Sequence, residues 1–323
     1  MTSIVTGGAG FVGSHLVEAL VARGKHVLII DNLSTGRIAN IQPAVSSGKA
    51  TFVYADAGVE TAALRQLLHD AKAEDIDAIY HFASPASPEA YAAHPWETLR
   101  VNSLGTMSLI EIALERQAMF FFASTSEVYG DPLVHPQTEE YFGNVNSIGP
   151  RACYDEGKRF GEAAVATGVL HKALNARIIR IFNCYGPRMQ EGDGRLIPEL
   201  ICANLEDRPM PIQGTGKQTR SLTYISDLIN FIFVVGKSQP NGVEPLNAGI
   251  DEEHTVEEIA RCVARVMGKP FNVVYKPARP EDPQRRRPDL TRAFGLGWRP
   301  ATNLEAGVQA TCAWFTTQRF TQV

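Results

Sequence analysis

From residue 1 to about 182, short apolar runs alternate with longer segments whose apolar residues recur every three or four positions. The runs at 3–6, 26–30, 51–54, 78–82, 120–123 and 177–182 predict strands, and the periodic segments 11–23, 62–71, 96–115 and 151–171 predict helices. Such alternation is the signature of βαβ units, so the expected fold is α/β, with a Rossmann-type doubly wound parallel sheet. Beyond Phe182 the pattern breaks into shorter pieces punctuated by Gly186-Pro187, Arg208-Pro209, Gly214-Thr215-Gly216, Lys269-Pro270 and the proline-rich stretch 277–288. This predicts a dinucleotide-binding domain over 1–182 and a smaller, mixed α/β substrate lobe over 183–323, with some crossing of the chain between them.

Composition narrows the classes of function. The 323 residues are 44% hydrophobic and 20% charged, with a net charge of −4. That is an ordinary globular composition, with no global attraction for nucleic acid or an anionic membrane. Phosphate recognition must then be local. The five cysteines, Cys153, Cys184, Cys202, Cys262 and Cys312, are widely spaced and form no metal or disulfide pattern. No apolar run approaches the roughly 18 residues of a membrane span, and Ser3-Ile4-Val5 is reached without a basic or apolar leader. A cytoplasmic protein is expected, with no metal.

Gly7, Gly10 and Gly13 follow the first predicted strand and open the first predicted helix. Glycines there permit a tight turn and bring backbone amides close to a pyrophosphate at the helix N-terminus. The second strand ends at Asp31, whose carboxylate can accept from an adenosine ribose and repels a 2′-phosphate, which favours NAD over NADP. Asp56, at the end of the third strand, is placed for the adenine amino group.

Tyr154 and Lys158, four apart on a predicted helix, project from one face. A nearby ammonium and a nicotinamide cation would lower the phenol toward the range of a general base. Ser124-Thr125-Ser126-Glu127 follows a strand whose C-terminal end opens into the same crevice, where hydroxyls can hold a sugar and Glu127 can act as acid, base or positioning group. Arg188, Arg220 and Arg286 add guanidinium groups suited to a diphosphate or a carboxylate. Together these features point to a nucleotide sugar.

The strings Gly7 to Gly13, Asp31-Asn32-Leu33-Ser34-Thr35-Gly36, the Tyr154/Lys158 pair, Arg180 to Arg188 and the late Gly297-Trp298 resemble the extended short-chain dehydrogenases that act on nucleotide sugars, through essentially the whole chain. Within that family, His81 to Pro88, Ser124 to Pro132, Ile148 to Arg159, Gly186-Pro187-Arg188-Met189, Asp193-Gly194-Arg195 and Glu281 to Asp289 look like the UDP-glucuronate decarboxylase branch. Cys184 stands where that branch usually has Thr, and Ser108 where it often has Asn.

The resemblance implies that Tyr154 removes the O4 proton while C4 is oxidised with NAD, that the 4-keto acid loses carbon dioxide, and that re-reduction yields UDP-xylose. It implies Thr125, Ser126 and Glu127 at the sugar, together with Tyr154 and Lys158. It places Gly7, Gly10, Phe11, Val12, Gly13, Asp31, Asn32, Ser34, Gly36, Arg37, Asp56, Ala57, Ser84, Tyr154 and Lys158 around NAD. Arg100, Asn183, Arg188, Arg220 and Arg286 would hold the UDP-sugar, here UDP-glucuronate, and a homodimer would pack through the helices at 96–115 and 151–171. A 4,6-dehydratase carries Asp-Glu where this chain has Ser126-Glu127, and a 4-epimerase typically lacks a Glu at position 127. A catalytically silent NAD-binding regulator would not need the intact Tyr154, Lys158, Thr125 and Glu127 set.

Overall fold

The computed structural model describes residues 1–238, 243–278 and 285–320; the stretch Glu281-Asp282-Pro283 of the decarboxylase-like string lies outside them. Seven parallel strands form the central sheet: β1 Thr2–Thr6, β2 His26–Asp31, β3 Ala50–Tyr54, β4 Ile76–His81, β5 Met119–Thr125, β6 Ala176–Ile181 and β7 Leu246–Ala248. Their order is β7-β6-β5-β4-β1-β2-β3, so the chain winds outward in both directions from β1 and β4. The crevice at the carboxyl ends of those strands is where a doubly wound sheet binds its ligand.

Two apolar faces explain why each strand reads as a nearly unbroken hydrophobic run. On β5, Phe120 and Phe122 pack with Leu109 and Val165 on one face, while Phe121 packs on the other with Val5, Leu16 and Phe231. All these residues are almost fully buried.

The predicted strands and the helices Phe11–Ala22, Thr61–Asp70 and Ala152–Lys172 form within a residue or two of their expected ends. The segment expected as one helix over 96–115 is instead Pro95–Arg100, a π-helical turn Val101–Gly105, and Thr106–Arg116. Its cause is a close approach. A Cβ on Gly105 would stand 2.5 Å from the Ala57 carbonyl, so this turn rests directly on the loop after β3.

Beyond Phe182 the chain crosses back to the first half. Strand β7 joins the sheet beside β6, and the helix Ile225–Lys237 packs against Phe11–Ala22. The second half of the chain thus supplies one face of the first half's core. The remaining lobe has its own core between the helices Leu196–Leu205, Val256–Val266 and Leu304–Phe320, beside the parallel pair Met210–Gln213 and Val273–Lys276. Among the described residues no helix is long and apolar enough to cross a membrane, and no group of His, Cys, Asp and Glu is gathered to hold a metal.

Phe231 is fully buried, with its ring 4.8 Å from that of Trp298. Phe231→Ala is expected to cost about 3–5 kcal/mol of stability, measured by denaturant unfolding. A loss under about 1 kcal/mol would show that the crossing helix is not part of the common core.

Candidate active site

Gly7 turns the chain at the end of β1 with a φ of +70°, and a Cβ on Gly13 would stand 2.1 Å from the Gly7 carbonyl oxygen. Only glycine lets the helix Phe11–Ala22 sit this close to the strand. Gly10 caps that helix without a side-chain hydrogen bond, so its first amides remain available to an anion. At the end of β2, Asp31 accepts from the Ala9 amide at 2.9 Å through one oxygen and from the Leu33 amide at 2.8 Å through the other. Burial raises its pKa and these amides oppose the rise. Asp31 still lines the cavity, each oxygen keeping a lone pair for a ribose hydroxyl.

The same cavity is lined by Gly7, Gly10, Phe11, Val12 and Gly13, by Asn32, Ser34, Asp56 and Ala57, and by Ser84. Arg37 does not reach it and lies exposed on the surface, while Gly36 packs behind the lining against Ala9 and Asp31.

Further along the cavity the ends of β5 and the helix Ala152–Lys172 converge, bringing Thr125, Ser126, Glu127, Tyr154 and Lys158 to one wall. Lys158 donates to the Ala123 carbonyl at 2.8 Å, and its Nζ lies 5.9 Å from the centre of the Tyr154 ring. Tyr154 pairs with the Thr125 hydroxyl and stacks on Tyr91 at 5.3 Å. In this state the phenol is not a ready base. Burial raises the Tyr154 pKa well above its ordinary value, against a lowering by Thr125, and burial pulls Lys158 down to about 7. The lowering expected from sequence needs the cofactor's positive charge as well as the ammonium.

On the same wall two guanidiniums converge on one carboxylate. Arg286 donates to both oxygens of Glu127, the Nη2 to Oε2 contact being 3.0 Å, and Arg151 donates to the same Oε2. Burial alone would push the Glu127 carboxyl up, but Arg286 and Arg151 together outweigh it and hold the pKa below its usual range. Arg286 is placed by main-chain pairing: the Gln137 amide donates to the Arg287 carbonyl at 2.9 Å, and the Arg287 amide to the Gln137 side chain at 2.9 Å. Asn247 on β7 closes the seam, donating to the carbonyls of Gln137 and Asp289.

Asn183, Arg188 and Arg220 also line the cavity. Arg188 pairs with Glu18 at 2.5 Å, and its other terminal nitrogen, Nη1, is buried without a partner, as a phosphate-binding donor would be. Arg100 does not line the cavity; it lies exposed at the end of its helix beside Gly58. Cys184 lines the cavity, whereas Ser108 is buried inside its helix packing and does not. Sequence reasoning passed over Arg151 and Tyr91. Arg151 was legible, since it stands three residues before Tyr154 on the same helical face; Tyr91 carried no signal.

A family model described as GDP-mannose 4,6 dehydratase matches residues 4–311. UDP-glucuronic acid decarboxylase 1 of Xenopus tropicalis is 40% identical over 97% of this chain and 71% of its own length. Among solved structures, a dTDP-glucose 4,6-dehydratase of Streptomyces venezuelae with NAD bound aligns with a TM-score of 0.88 at 26% identity, covering 99% of this chain and 98% of that one. A UDP-glucuronic acid 4-epimerase of Bacillus cereus, in complex with UDP-glucuronic acid and NAD, aligns at 0.86 and 27% identity, covering 98% of this chain and 100% of that one.

If Asp31 reads the ribose, Asp31→Ser is expected to weaken binding of NAD by about tenfold or more and to narrow its advantage over NADP, as followed by fluorescence titration. Unchanged preference would remove Asp31 from the cofactor site.

Proposed function

The chain belongs to the nucleotide-sugar family described by the GDP-mannose 4,6-dehydratase model, and from that premise we propose that it is a UDP-glucuronate decarboxylase, an NAD-dependent carboxy-lyase that forms UDP-xylose. The observation that carries this reading is the pair Arg151 and Arg286 converging at the cavity wall beside Tyr154. Two guanidiniums at that place suit a sugar that bears a carboxylate. Near-full-length similarity to curated decarboxylases supports the same substrate.

The cavity's lining supports the assignment of the ligands. The glycine turn, Asp31 and Ser84 line the cavity and suit NAD; Asn183, Arg188 and Arg220 line the same cavity and suit the UDP group. In this reading the part of the chain before residue 183 supplies the dinucleotide site and, through Thr125 to Glu127, Arg151 and Tyr154, the wall beside the sugar, while the part after it supplies Asn183, Arg188, Arg220 and Arg286. NAD held by the glycine turn and Asp31 would supply a hydride acceptor for the sugar C4 and a donor for the later re-reduction, with no net change in the cofactor.

Tyr154 removes the proton from O4, its phenolate favoured once the cofactor's positive charge adds to that of Lys158. Thr125 holds the phenol oxygen in line. With C4 a ketone, the C5 carboxylate is a β-keto acid; the bond between C5 and the carboxyl carbon breaks, carbon dioxide leaves, and the electron pair passes to O4 as an enolate. Arg286 and Arg151 orient the carboxylate, and Glu127, released from part of its grip, positions the ring or relays a proton from water to C5. Ser126, buried at the cavity edge, holds a sugar hydroxyl.

We also propose a homodimer. Phe160, Ala163, Thr167 and Leu170 make one exposed stripe along Ala152–Lys172, and Met107 is exposed on the neighbouring helix. The cytoplasm is the compartment we assign, since all five cysteines are free thiols.

Incubation with UDP-glucuronate and catalytic NAD is expected to release one carbon dioxide and yield UDP-xylose, followed by mass spectrometry and NMR. Tyr154→Phe should slow turnover by about 100-fold or more. UDP-galacturonate appearing without mass change would instead mean a 4-epimerase, and reaction only with dTDP-glucose a dehydratase. Phe160→Glu combined with Leu170→Glu should give monomers in light scattering; dimers that persist would place the interface elsewhere.

A further inference from the structure

Behind the Arg151 and Arg286 clamp lies a second carboxylate that does not line the cavity. Asp155 follows Tyr154 directly and is 6% exposed. Its Oδ2 stands 3.7 Å from Arg151 Nε, too far for a hydrogen bond, and its Oδ1 is buried without a partner. In the ligand-free site, two guanidiniums thus face two carboxylates, Glu127 and Asp155. A sugar acid seated on the clamp makes three carboxylates against two guanidiniums, and an uncompensated charge in a buried cluster is costly.

We propose that Asp155 takes up a proton when the substrate's carboxylate enters, so that the site stores one proton before the chemistry begins. This rests on the decarboxylase reading, and it fits that reaction's balance. A C5 carboxylate leaves as carbon dioxide and C5 gains a hydrogen, so each turnover consumes one proton.

The groups facing Asp155 favour it as the acceptor. They are Arg151, Cys153, Tyr154 and Glu156 on its own helix, Glu127 on the turn after β5, Arg286 on the C-terminal segment, and Tyr91 on the helix Pro88–Ala93. Burial first, then Glu127, push the Asp155 carboxyl up to about 7, against the pull of Arg151 and Arg286. Glu127 is in direct contact with both guanidiniums and is held ionised. Tyr91, Tyr154 and Cys153 have pKa values raised by burial and are already protonated at neutral pH. Asp155 is thus a proton-holding residue that acts through Arg151 without touching the sugar.

The sign of the pH effect follows. The added negative charge raises the Asp155 pKa further, so above about 7, where the free site has lost this proton, binding of UDP-glucuronate weakens by up to about tenfold per pH unit. Below that value this group contributes no pH dependence.

The test is titration calorimetry in buffers of differing ionisation enthalpy, with NAD bound and Tyr154→Phe blocking turnover. At about pH 8, UDP-glucuronate should bind with uptake of about one proton, UDP-glucose with about none, and the further change Asp155→Asn should abolish the uptake. No uptake, or uptake that survives Asp155→Asn, overturns the proposal. Should that double variant fail to fold, the ratio of UDP-glucuronate to UDP-glucose dissociation constants in the Tyr154→Phe chain with Asp155 intact decides: it must rise with pH above about 7, and a flat ratio overturns the proposal. Carbon dioxide release by the unaltered chain is scored separately. Release without proton uptake sinks the Asp155 assignment alone, whereas neither binding nor release sinks the decarboxylase reading beneath it.

Discussion

The active site depends on one carboxylate shared by two guanidiniums. Glu127 stands on the turn after β5, Arg151 at the start of the helix Ala152–Lys172, and Arg286 on a segment more than a hundred residues later. None of the three could be buried alone, because desolvating a lone charge costs more than this packing could return. Buried together they satisfy one another, and in doing so they tie the C-terminal segment to the catalytic strand. Under the proposed function the same tie would bear on selectivity, since guanidiniums that hold an internal carboxylate can also hold an incoming one.

Around that tie the two halves of the chain are less separate than a two-domain description suggests. Strand β7 and the helix Ile225–Lys237 return to the sheet, and Asn247 on β7 hydrogen-bonds the Gln137 and Asp289 carbonyls that flank the Arg286 segment. Asn247 also accepts from Tyr129, whose ring carries the Arg180 guanidinium 4.9 Å from its centre. A continuous buried polar seam thus runs from the sheet to the clamp. Networks of this kind rigidify a core when every member is satisfied.

The resting electrostatics describe a site that waits for its ligands. Burial leaves Tyr154 protonated and weakens the ammonium of Lys158, so neither is poised for proton transfer alone. Both shifts arise from desolvation, and desolvation is what a nearby charge opposes most effectively in a low-dielectric site. A cationic ring beside Tyr154 would favour the phenolate only when the cofactor is present, which confines the base to the loaded enzyme.

Much of this was legible in the residues themselves. Alternating short and long apolar periods determined the doubly wound sheet, because strand and helix faces repeat at different spacings and each must be buried. Gly7, Gly10, Gly13, Asp31, Tyr154 and Lys158 were singled out in the sequence and all line one cavity, since these signals are local: a turn, a strand end, one helical turn. For Arg37 and Arg100 the sequence carried no record of which way a charged side chain near a motif points, and both are exposed outside the cavity lining. The return of β7, the seating of Arg286 by Gln137, and the meeting of Glu127, Arg151, Arg286 and Asp155 were decided by the tertiary structure alone. Each joins residues far apart in the chain, and such a contact depends on how the whole core closes, which no local pattern of side chains specifies.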